Sequence, residues 1–265
     1  MGIDRTNTLS RDAIEGLKGL AAREAIREDA PQSLSSCFVK LNYTAGNDLA
    51  VVNAARVSMG KRSYDCTAKD ERLIKYLIDH IHTSPFRHQT ISFHIRAPIF
   101  VLRQWMKHQV GCAWNEMSLR YVEHDGSAWK PEQWRGMPPK SIKQGSGDPI
   151  ARQDEAHEIY ASALDSVFKA YEDLLALGVA REQARMILPM STLTECWWTC
   201  SLQAALHFLR LRSASDAQSE IQWFADEVRK IIETQYPASY KAWSSYHQER
   251  DSAWRTYKNR MEELP

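Results

Sequence analysis

Two short stretches of strict two-residue alternation set the fold class. Phe38-Val39-Lys40-Leu41-Asn42-Tyr43 puts Val39, Leu41 and Tyr43 on one face, and His88–Arg96 sets Ile91, Phe93 and Ile95 against Ser92, His94 and Arg96. Side chains alternate across a sheet, so each segment reads as a strand with one buried face. The other patterned segments run at helical spacing. Gly46-Asn47-Asp48 offers a turn and an N-cap ahead of a helix over Leu49–Ser58. Residues 69–82 carry Leu73, Ile74, Leu77, Ile78 and Ile81 on one stripe, which predicts an amphipathic helix. Ser84-Pro85-Phe86 breaks it, and Pro98 opens the next helix, which runs to His108. Further helices are expected over residues 152–177, 181–188, 192–211 and 216–235, with Gly178 and Pro237 as stops. The pattern predicts an α+β, helix-rich domain with a small central antiparallel sheet and no internal repeat.

Residues 1–36 are polar, with a helical pattern over Asp12–Arg27, and read as an N-terminal extension packing on a neighbour; the folded domain is expected over 37–265. Residues 122–150 are rich in Gly, Pro, Ser and Lys and read as a long loop, a length that usually has a use. The formal net charge is only +1, so bulk electrostatics favour neither nucleic acid nor an anionic membrane, and any anion site must be local. No apolar run approaches a membrane span. The start Met1-Gly2-Ile3-Asp4-Arg5-Thr6 meets the short myristoylation pattern, which arises readily by chance. Cys37, Cys66, Cys112, Cys196 and Cys200 are scattered, without a Cys-x-x-Cys pair, which argues against zinc and for a reduced cytoplasmic setting. His82, His88 and His94 lack metal-site spacing, so no metal is expected.

The densest chemistry lies in Arg103–Tyr121, where cations, amides, a carboxylate and a hydroxyl crowd a helix-to-loop boundary. Such groups are costly in an apolar core but suit a nucleotide: Arg and Lys for phosphate, amides for a base edge. A solvated helix end with ordinary ion pairs has the same composition.

The segment Ser84–Tyr121 resembles the flavin-dependent thymidylate synthases (ThyX), whose signature is Arg-His-Arg, a spacer, and Asn-Glu-x-Ser-x-Arg-Tyr. The second half stands intact as Asn115-Glu116-Met117-Ser118-Leu119-Arg120-Tyr121. Similar fragments run in order along the chain: Ala54–Ser58, Ala97–Trp105, Trp134-Arg135, Lys143–Ser146, Ala184–Pro189, His207–Arg212 and Ala217–Ile221. The resemblance implies a mixed fold assembled as a homotetramer, with sites shared between subunits. It implies FAD reduced by NADPH, methylenetetrahydrofolate as carbon donor, and methylation of dUMP without attack by an enzyme cysteine. It places Gln104, Lys107, Glu116, Ser118, Leu119, Arg120, Arg185 and Arg212 at nucleotide positions. It places Ser58, Ser84, Lys107, His108, Gln109, Glu116, Ser201, Gln203 and His207 at flavin positions. Arg212 is the residue implied to activate the pyrimidine.

Three departures bear on cofactor affinity and substrate identity. The triplet is Lys107-His108-Gln109, which removes a fixed cation and its planar fork of donors. Arg87 stands where many members carry Glu, and Asp216 where His is usual. They motivate two other readings: a one-carbon transferase, methylating or hydroxymethylating, on UMP or dCMP, and an inactive flavin- or nucleotide-binding oligomer. Cys112 is expected to be a small packing residue rather than a nucleophile. Cys196, Cys200, Trp197 and Trp198 are expected in the core, and the Tyr and Trp cluster at 236–254 in packing or an interface.

Overall fold

The sheet holds four strands. The computed structural model describes residues 36–140 and 145–262, with side chains through residue 252, so the expected extension and its helix over Asp12–Arg27 lie outside the described residues. Strands β1 (Phe38–Ala45), β2 (Thr90–Pro98), β3 (Cys112–Glu116) and β4 (Leu193–Ser201) pair antiparallel in the order β1-β2-β4-β3. The helices are α1 (Asp48–Arg56), α2 (Ala68–Asp79), α3 (Ile99–Trp105), α4 (Gln153–Ala176), α5 (Arg181–Ala184), α6 (Leu202–Arg212), α7 (Ser219–Gln235) and α8 (Pro237–Glu262). The helix-rich α+β domain with a small antiparallel sheet is therefore present.

Ile91, Phe93 and Ile95 are fully buried, as the alternation in β2 requires. In β1 the pattern breaks. The register shifts between Leu41 and Tyr43, and the bulge turns Tyr43 outward to 45% exposure instead of onto the face of Val39 and Leu41. The expected 192–211 helix is corrected to β4 followed by α6. Cys196 and Cys200 share a face in either reading, because four residues are both two strand periods and about one helical turn. The adjacent tryptophans separate the two cases: Trp198 is fully buried and Trp197 is exposed, on opposite faces of the strand. Trp197 therefore leaves the expected core. Residues 112–116, expected at a helix-to-loop boundary, form β3, which pairs with Cys196–Cys200.

Helix α2 ends at Asp79, short of the predicted 82. Ile81 N–H bonds Ile78 O and His82 N–H bonds Leu77 O, closing the end through Ile81 at φ 58°. Glycine ordinarily takes that left-handed position, and Ile81 ends exposed rather than on the stripe. Residues 185–187 are a 3-10 turn after α5. Pro237 ends one helix and opens another at its first position, where a missing N–H costs nothing. Of the expected Tyr and Trp cluster at 236–254, Tyr236 is buried and Tyr240 and Trp243 pack against the core.

Asp70, buried near the start of α2, accepts from Thr67 N–H and hydroxyl, Ser63 hydroxyl and the Arg56 guanidinium. The Thr67 hydroxyl bond is the largest cause that holds its carboxyl down to about 2, against an ordinary 3.8. A depressed carboxyl stabilises the fold above its unfolded value and loses that contribution as pH falls through the folded value, here between about 4 and 2. The contribution is about 2 kcal/mol. Asp70→Asn should lower the melting temperature at neutral pH and flatten its decline across that acid window. An unchanged acid limb would refute this account.

Candidate active site

Two helix ends meet to build the site. Trp105 ends α3, so Gln104 and His108 flank a buried anchor, while Arg212 ends α6. Arg212 Nε donates to His108 Nε2 at 3.0 Å, and its Nη2 donates to Gln104 O at 3.2 Å. His207, on the same helix, meets His108 edge-to-face at 5.7 Å. The Gln104 amide donates to Gln218 Oε1 at 2.8 Å, joining α3 to the start of α7. His108 is buried, and burial, then Arg212 and His207, push its imidazole down to about 4. It is a neutral ring at working pH, and its bond with Arg212 requires an unprotonated Nε2.

Ser201 caps α6, accepting from Ala204 N–H, and its own N–H bonds Gly111 O at 2.9 Å. Gly111 has φ 73°, and a Cβ there would come 3.0 Å from Ser201 Oγ, so this approach requires glycine. The turn carries exposed Lys107 and Gln109 into β3, whose end exposes Glu116. Past it, Ser118 Oγ accepts from Arg120 N–H, and Leu119 is buried. Arg120 pairs with Glu182 of α5 at 3.5 Å, which sets exposed Arg185 one turn beyond.

A second group surrounds Gln203, whose Oε1 accepts from Arg87 Nε at 2.5 Å. Arg87 also bonds Thr83 Oγ1, beside Ser84. Gln203 and His207 edge a groove of about 310 Å3, floored by Leu77, Phe86, Leu206 and Trp243. Ser58 stands apart in its own turn, its hydroxyl donating to Ala55 O. Thus Arg212 contacts both Gln104 and His108, and His108 contacts His207. Lys107, Gln109, Glu116, Ser118, Arg120 and Arg185 lie on the connected turn, strand end and facing helix.

Gln218 and Glu220 were legible only as fragments of a motif. Glu220 accepts from Arg135 Nη2 at 2.7 Å, and Arg135 Nε bonds Ser146. Three fragments scattered in sequence therefore fasten the 122–150 loop to α7. Lys143 and Gln144 lie outside the described residues.

Residues 41–238 match the family model described as thymidylate synthase complementing protein. The chain belongs to the flavin-dependent thymidylate synthase family. The flavin-dependent thymidylate synthase of Kosmotoga olearia is 40% identical over 215 residues, covering 80% of this chain and 92% of that relative. That of Thermosipho africanus is 38% identical over 218 residues, covering 80% and 93%. The crystal structure of the UMP/dUMP methylase PolB from Streptomyces cacaoi bound with 5-Br dUMP gives a TM-score of 0.72 at 33% identity, covering 79% of this chain and 95% of that one. Among the described residues of this flavin-dependent thymidylate synthase family member, no helix is long and apolar enough to cross a membrane, and no group of His, Cys, Asp and Glu could hold a metal.

Cys112 lies in the signature, but burial raises its thiol above the ordinary range and its Sγ contacts Val110 O at 3.7 Å. A raised thiol is a poor nucleophile at neutral pH. Cys112→Ser should retain most thymidylate synthase turnover. Loss of turnover with nucleotide binding intact would return the thiol to the chemistry.

Proposed function

We propose that this enzyme methylates dUMP at C5 to give dTMP, using FAD, NADPH as reductant and methylenetetrahydrofolate as carbon donor, as a homotetramer in the cytoplasm. The observation that carries it is Arg212, a guanidinium fixed by two neutral acceptors at the meeting of α3 and α6. The tetramer has support in the large apolar side chains left exposed near the signature and the facing helix, among them Val110, Tyr121, Met186 and Trp197.

The residues present fit a flavin. The groove beside α6 offers an apolar floor for a ring system, and its rim carries Gln203 and His207. Arg87 occupies the Gln203 carbonyl oxygen, which leaves the amide N–H groups to donate to a ligand. Reduced FAD supplies hydride when bound. The chain's residues bind and polarise. Lys107, Arg120 and Arg185 offer charge for the nucleotide phosphate, and Ser118 and the Leu119 main chain complete that cradle. Gln104 and Glu116 lie at its border. Arg212, set against the pyrimidine N3–O4 edge, gains strength as negative charge builds there. Lys107, His108, Gln109, Ser84, Ser201, Gln203 and His207 line the flavin side, with Ser58 brought in by assembly.

A second substrate, UMP, is favoured by the likeness to PolB, whose description names both UMP and dUMP. Incubation with FAD, NADPH, methylenetetrahydrofolate and a panel of dUMP, UMP and dCMP, read by product mass, separates these and distinguishes methyl from hydroxymethyl. Formation of dTMP is expected; a protein that binds nucleotide but yields no product would sink the reading. Arg212→Ala should reduce methylation roughly 10²–10³-fold, the usual effect of removing one such donor. FAD reduction by NADPH should survive better, because it needs no base activation. Near wild-type turnover in a folded Arg212→Ala protein would remove Arg212 from the mechanism.

A further inference from the structure

We propose that His108 is a positioning residue for Arg212: its Nε2, accepting from Arg212 Nε, turns the guanidinium so that the terminal Nη1–Nη2 edge meets the nucleotide. This rests on the reading of Arg212 as the group that activates the pyrimidine. It gives His108 a role other than the flavin contact that its place in the signature implies.

A guanidinium has five N–H donors in one plane. Nε–H and one Nη2–H point from the same edge of that planar group, and both bonds use this edge: Nε to His108 Nε2 at 3.0 Å, Nη2 to Gln104 O at 3.2 Å. The terminal edge keeps both Nη1 hydrogens and one on Nη2. A planar plate held along one side can point its end in only one direction. The imidazole is itself fixed, edge-to-face against the fully buried Phe208 at 5.3 Å and against His207 at 5.7 Å.

The choice of partner has a chemical consequence. A carboxylate would hold Arg212 more firmly but would cancel the field that the cation presents to a developing anion. A neutral imidazole and a peptide carbonyl orient the cation and leave its charge intact. Protonation would break this arrangement, since an imidazolium donates from both nitrogens. Burial and the Arg212 charge keep His108 neutral down to about 4, with His207 adding to them.

The experiment is a double-mutant cycle with rescue. His108→Leu should lower turnover of dUMP roughly tenfold to a hundredfold, the effect of one hydrogen bond to a charged group. His108→Gln, whose Oε1 can accept where Nε2 does, should recover most of it. In an Arg212→Ala background, His108→Leu should add nothing further. Losses that multiply would overturn the proposal, as would His108→Leu losing FAD fluorescence quenching in proportion to turnover. A second readout needs no activity. In the ligand-free protein, the His108 imidazole nitrogen resonances should titrate near about 4 and shift upward in Arg212→Ala; an unchanged titration would overturn the contact. If the wild-type protein alkylates no pyrimidine, the functional reading fails, and this titration still decides whether the two residues are coupled.

Discussion

The Trp105 ring is the point at which sheet, helices and site are tied together. It stacks on Phe208 of α6 at 4.5 Å and 15°, meets Trp198 of β4 edge-on at 5.2 Å, and touches Trp114 of β3 and Phe224 of α7. Its neighbour in sequence is Gln104, with His108 three residues on, while Phe208 follows His207 and precedes Arg212 by one helical turn. Packing one indole therefore brings two pairs of polar residues to the same place. The Trp105 Nε1–H is buried without a partner among the described residues, a cost of about 1–3 kcal/mol. The aromatic contacts outweigh it, since large rings bury more area than any other side chains.

Polar groups at this junction are arranged so that charge is held without being cancelled. Arg212 meets neutral acceptors, whereas Arg135 and Arg56, which fasten loop and helix, meet the carboxylates of Glu220 and Asp70. Arg87, expected from the resemblance to stand where many members carry Glu, also meets a neutral group, the Gln203 amide. The exchange therefore brings a cation to the groove's edge without a buried like-charge clash. The lost guanidinium at Gln109 lies on the exposed turn nearby, so a fixed cation is removed at one border of the site while another stands beside Gln203.

Much of this was written in the sequence, and the missing parts have definite causes. Strand β2, helix α4 and the stripe of α2 were legible because hydrophobic period and burial agree over many residues. Strand β4 was not, because a four-residue spacing fits strand and helix alike, and only the opposed tryptophans decide. The outward turn of Tyr43 depends on a bulge set by pairing with β2, and the exit of Ile81 on a strained helix end; neither leaves a mark in periodicity. For the site, Asn115–Tyr121 and His207–Arg212 were legible as motifs. Their meeting was not, since Arg212 and His108 stand 104 residues apart. Nor was the union of Arg135, Ser146 and Glu220, which appeared as three separate fragments.

Arg210 and Arg212 make different contacts although they stand two residues apart. On a helix they point about 200° away from each other. Arg210 turns to α8 and forms a two-pronged pair with Asp251, both bonds at 3.0 Å. That helix is itself held by Asp48, the first residue of α1, whose carboxylate accepts from the Ala238 and Ser239 N–H groups and the Ser239 hydroxyl. An acidic side chain from a helix 190 residues earlier thus caps the start of α8. The family match ends at residue 238, and the helix beyond it lends Trp243, Tyr246 and His247 to the groove beside Gln203. Arg210 is therefore a half-exposed fastening of modest worth, with its charge paired by Asp251. Arg212, one helix face away, keeps its terminal donors because its restraints come from a ring nitrogen and a peptide carbonyl. The helix period, acting on two neighbouring cations, sends one to a carboxylate on α8 and the other to the neutral acceptors of α3 and the turn after it.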